Sequence, residues 1–132
     1  MNAVTNGIYD ALYANAGILS AVGARIYREL APQNATYPLI VMQNVGGGTI
    51  SETPIDAADP FYLISAVSQT SPADAETLAA YIETALHKAT LTVTGWTNIW
   101  TAVTTHLETV ELPSSGAPLW QAGRFVRIRL SK

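Results

Sequence analysis

The chain is 132 residues long, enough for one domain around one core, and only 13% of it is charged against 48% hydrophobic, about half the charged share of an ordinary soluble domain. A net charge of −3 argues against a dedicated nucleic-acid binder, and the absence of cysteine removes disulfide and thiolate chemistry. No apolar run approaches the ~20 residues of a membrane-spanning helix, and no Lys or Arg precedes Arg25 to open a secretory signal.

In chain order, residues 5–22 read as helical. Ile8, Ala11, Leu12 and Leu19 fall near one face, Thr5 or Asn6 is placed to cap, and Gly17 breaks the run into two pieces. Tyr9 and Tyr13, four apart, are spaced to pack together, and Gly23 suits a left-handed closing residue. Arg25-Ile26-Tyr27 is long enough only for an edge strand. Prolines at 32 and 38 keep the next stretch irregular before the strand Leu39–Val45. From Gly46-Gly47-Gly48 to Pro60 the only large apolar residues are Ile50 and Ile55, so 46–59 reads as a flexible arm.

Phe61-Tyr62-Leu63-Ile64-Ser65-Ala66-Val67 is apolar on both alternating faces of a strand. One face can take a helix, and the other still seeks burial. The helix follows at once: Ser71-Pro72 is a cap and first-turn pair, and Ala75, Leu78, Ala79, Ile82 and Leu86 recur at three- and four-residue spacing. Leu91-Thr92-Val93 and a Thr94-Gly95 turn lead into Trp96–Val110, whose Thr, Val, Ile and Trp content is that of one or two strands. A turn-forming segment from Leu112 to Pro118 precedes the last strand, about Leu119–Leu130. There Val126, Ile128 and Leu130 face one way and Phe125, Arg127 and Arg129 the other. The sum is an α+β domain over residues 1–132, an antiparallel-rich sheet of four to five strands backed by two main helices.

Catalytic chemistry finds little support. The triple glycine lacks the Lys-Ser or Lys-Thr of a phosphate loop, and no Gly-x-Ser-x-Gly elbow occurs. His87 and His106 are the only histidines, without companions at metal-ligand spacing. Asp56 and Asp59 sit in a proline-bounded arm, where acids form turns. Neither a catalytic residue, a cofactor nor a metal is therefore expected. What stands out is assembly. Residues 124–132 hold Arg124, Arg127, Arg129 and Lys132 with no acid, on an otherwise acidic chain. The residues placed to bind a neighbour are Gly46, Gly47, Gly48, Ile50, Ile55, Phe61, Leu63, Trp120, Arg124, Phe125, Arg127 and Arg129.

Val22-Gly23-Ala24-Arg25-Ile26-Tyr27, followed by Ala31-Pro32-Gln33-Asn34-Ala35 and Tyr37-Pro38-Leu39-Ile40-Val41, resembles the tail completion (tail terminator) proteins of long-tailed bacteriophages and gene transfer agents. The likeness continues through the Ala73–Leu86 helix to the closing strand. It implies a non-enzymatic virion protein of the tail and neck, assembled in the host cytoplasm. Six copies of a small α+β protomer would ring the head-proximal end of the tail tube. The implied partners are the tube protein and the head–tail connector or stopper, with DNA passing through the lumen unbound. A stopper or tube subunit of similar fold is the nearest alternative, and a small-ligand-binding or enzymatic α+β domain the more distant one.

Overall fold

A computed structural model describes residues 2–30, 36–46, 49–52, 55–111 and 118–131 of the chain. The strongest local signals are obeyed. Helix α3 (Pro72–Leu86) starts on Ser71, whose Oγ accepts the Asp74 N–H at 3.2 Å, and Asp74 adds negative charge to the first turn. Ala75, Leu78, Ala79, Ile82 and Leu86 are all buried, so the apolar spacing becomes one covered face.

Beneath α3 lie β5 (Phe61–Ser68) and β7 (Leu119–Ser131), antiparallel, with Phe61 opposite Arg127 and Ser68 opposite Trp120. On β7 the expected alternation holds: Val126, Ile128 and Leu130 are fully buried, while Arg127 is exposed. Tyr62, Ile64 and Ala66 of β5 join the same core, together with Val4, Ile8 and Leu12 of α1 (Asn2–Tyr13) and Ile18 and Val22 of α2 (Ala16–Val22). The Thr5 and Tyr62 hydroxyls hydrogen-bond at 2.8 Å, fixing α1 to the sheet.

The break between the first helices falls earlier than Gly17. Asn15 caps α2 by accepting the Ile18 N–H at 3.1 Å, and Gly17 lies inside the first turn, against the Tyr81 ring. That phase turns Ile18 inward and leaves Leu19, expected on the apolar face, 46% exposed. Tyr9 and Tyr13 do pack, ring centroids 4.8 Å apart, and Gly23 ends α2 at φ 56°.

The edge strand β1 (Ile26–Arg28) runs parallel to β2 (Leu39–Gly46), which is antiparallel to β5. The segment read as an arm carries β3 (Thr49–Glu52) and β4 (Ile55–Ala58), a hairpin that prolongs the β2–β5 ladder, with Ala58 opposite Leu130 of β7. A single long strand, β6 (Thr97–Glu111), closes the other side of β7, with register shifts at Asn98/Trp100 and Val103/Thr105. The expected α+β architecture is present. Among the described residues the strands fall into five lanes: β1, β2 with β3, β5 with β4, β7 and β6. The Leu112–Pro118 turn lies outside the described residues except for Pro118.

Part of the β6 edge is closed within the chain. Lys88 N–H donates to Thr101 O at 2.8 Å, Val103 N–H to His87 Nδ1 at 3.1 Å, and Leu91 N–H to Asn98 Oδ1 at 2.8 Å, so the segment that follows α3, from His87 to Leu91, shields the first half of the strand.

The expectation that the second face of Phe61–Val67 remains open is met only at its ends. Leu63 is 9% and Ser65 1% exposed, because Gly123 of β7 has no side chain and Leu63 lies over it. Phe61 and Val67 stay half-buried.

A β-carbon on Gly7 would sit 2.8 Å from the Thr92 carbonyl oxygen. Gly7→Ala gains about 1 kcal/mol in helix propensity, but the backbone clash outweighs it. Chemical denaturation should show a net loss of about 1–3 kcal/mol; a gain would place α1 farther from Thr92. A second outcome concerns Tyr9, whose phenol is pushed from 10.0 to about 12 by its hydrogen bond to Tyr13 and by burial. The folded value exceeds the unfolded one, so this stabilisation is complete below pH 10.0 and is lost as pH climbs to about 12. Denaturation midpoints measured across that interval should fall less steeply for Tyr9→Phe than for the parent chain.

Candidate assembly interface

The residues anticipated as an interface divide into an outer cluster, buried residues on either face of the sheet and a set on the hairpin. On the sheet face away from the helices, the Phe61 and Phe125 rings pack with centroids 5.4 Å apart, and the Arg127 guanidinium stands 5.2 Å above the Phe61 ring. Arg127 Nε lies 3.8 Å from Asp59 Oδ1, which carries the only carboxylate paired with it among the described residues. Arg129 is half-buried on the same face, paired in register with Trp100, itself 43% exposed. Antiparallel alternation places these side chains together: Phe61, Phe125, Arg127 and Arg129 share a face because their positions share a parity across one ladder.

Arg124 is not part of that cluster. It has the parity of Val126 and Ile128, so it points under α3, where it is 4% exposed. Its Nε is 3.3 Å from Glu83 Oε1 and its Nη1 donates to Gly123 O at 3.1 Å. The same Glu83 oxygen is 2.6 Å from His106 Nε2. Glu83 thus joins α3 to both β6 and β7, a role that its place on the helix rim between Ile82 and Leu86 did not announce. Leu63 shares the outer face with Phe61 and Phe125 but is only 9% exposed there, lying over Gly123. Trp120 is half-buried, packed against the core's margin.

On the hairpin, Ile50 is registered with Ala57 and Ile55 with Glu52, and Gly46 donates its N–H to Asn44 Oδ1 at 3.1 Å. Gly47 and Gly48 lie outside the described residues.

Among the described residues no three His, Asp or Glu side chains converge as metal ligands. A cleft at Ala21, Pro38, Asp74 and Tyr81 measures about 170 Å³ and another at Glu76, Glu108 and Trp120 about 60 Å³, both below the ~300 Å³ from which small-molecule sites usually begin.

A family model described as "Tail completion protein gp17" matches residues 6–113. Among solved structures, a chain of the "Virion of native gene transfer agent (GTA) particle" superposes with a TM-score of 0.83. The two are 17% identical, and the alignment covers 99% of this chain and 96% of that one. At that identity the likeness speaks to fold. No curated protein sequence matches.

The Glu83–Arg124 pair is asymmetric, since Glu83 is 40% exposed and Arg124 only 5% in their side chains. Removing the carboxylate strands a buried cation, whereas removing the cation leaves a carboxylate that water can reach. Glu83→Ala is therefore expected to lower stability more than Arg124→Met, by about 1–3 kcal/mol, as read from paired urea titrations. The reverse order would mean that water already solvates Arg124.

Proposed function

The chain belongs to the tail completion protein gp17 family, a structural component of phage tails, and from that premise we propose that it forms a six-fold ring on the head-proximal end of a tail tube. There it ends tube growth and offers its opposite surface to the head–tail connector or stopper. It works by assembly and performs no turnover.

The family match over residues 6–113 carries this reading. Several physical features support it. The helices cover one face of the sheet and leave Phe61, Phe125, Arg127 and Arg129 on the other, an aromatic–arginine surface of the kind enriched at interface centres. The acidic body repels phosphate, which lets DNA traverse a lumen without adhering. The β3–β4 hairpin extends the ladder as an arm suited to reach a tube or connector subunit.

Two measurements test it. Purified protein, sized by light scattering and imaged by electron microscopy, is expected as rings, and persistence as a monomer at high concentration would refute ring formation. Particles lacking the protein are expected to carry tails of uncontrolled length. Tails of normal length detached from heads would assign the chain to the stopper position instead.

A further inference from the structure

A ring that closes by rotation uses two unlike surfaces on every copy, one complementary to the other. Arg127, Arg129, Phe61 and Phe125 supply one. Resting on the ring reading, we propose that the second is the notch between the first turns of α3 and the far end of β6, where Glu76, Glu108 and Trp120 receive Arg127 and Arg129 of the next copy.

Charge identifies the occupant. With Arg124 committed to Glu83, Arg127 and Arg129 are the cations that β7 directs away from the helices. Glu76 and Glu108 are both exposed, and neither has an ion pair among the described residues. They border one cleft of about 60 Å³, together with Pro72, Ala75 and Trp120. A half-buried indole beside two unpaired carboxylates suits a guanidinium, which can stack on the ring while its N–H groups meet the oxygens. An aliphatic or anionic group would gain less there.

Geometry makes the contact intermolecular. Trp120 and Arg127 are seven positions apart on β7, roughly 23 Å at strand rise, and their side chains leave opposite faces of the sheet. A copy cannot fill its own notch. The arginine face of one copy and the notch of another form a head-to-tail contact, the kind that closes into a ring when the rotation between copies allows.

The test uses the full chain, with ring assembly followed by native mass spectrometry and light scattering, and folding checked by circular dichroism. Glu76→Arg with Glu108→Arg, and separately Arg127→Glu with Arg129→Glu, are each expected to raise the concentration needed for assembly by roughly tenfold or more. Combining all four substitutions should recover most of the loss, because the charges are exchanged rather than removed. Glu76→Gln with Glu108→Gln, which adds no bulk, should weaken assembly in the same direction. Rings from the parent chain that tolerate the glutamate substitutions unchanged, or a four-site variant no better than either pair, would overturn the notch while leaving the ring intact. A parent chain that forms no ring removes both together.

Discussion

β7 is hydrogen-bonded along both edges, and most of the molecule follows from that constraint. β5 and β4 occupy one side of it and β6 the other. A strand held on both sides can neither slip nor rotate without losing two ladders, so the parity of its residues becomes fixed. Ala122, Arg124, Val126, Ile128 and Leu130 are committed to the helix side, and Gly123, Phe125, Arg127 and Arg129 to the other. α3 then has one apolar surface to cover. The helix's own stripe matches it, and α1 and α2 fill the remainder of the same layer.

What was legible in the sequence was chiefly what is local. The α3 cap, its stripe, the Gly23 stop and the alternation of Val126, Ile128 and Leu130 each depend on residues within a few positions of one another. The misplaced features depend on partners far away in the chain. Leu63 was expected to present an open face, but whether it does is decided by a glycine 60 positions later, since any side chain at Gly123 would displace it. The hairpin at 49–58 is poor in large apolar residues and reads as an irregular connection, yet its backbone continues ladders already begun by β2 and β5. Arg124 is different, because the information was present. Its parity with Val126 was readable, and grouping it with Arg127 and Arg129 by composition set the stronger signal aside.

Burying Arg124 beside the partly exposed Glu83 in the helix–sheet seam changes the electrical outline of the molecule. The basic end of the sequence yields a buried, neutralised arginine and a narrow outward patch at Arg127 and Arg129. The exposed acids Asp74, Glu76 and Glu108 lie at the other end, where α3 begins and β6 finishes. The protomer therefore has a polarity running across the sheet, with net charge still negative. For the assembly proposed above, such a distribution favours head-to-tail contact over two-fold pairing, in which like patches would meet.

Sheet curvature then bears on how copies relate. The register shifts within β6 and the one in β2 at Asn44/Gly46 bend lanes that would otherwise run straight, and each adds to the natural right-handed twist. Because β7 cannot slip, this bend sets the angle between the arginine face and the acidic end as a property of the folded chain. In the ring proposed above, an angle fixed within the protomer would repeat at every contact, so the curl of one sheet would set the number of copies that closes it.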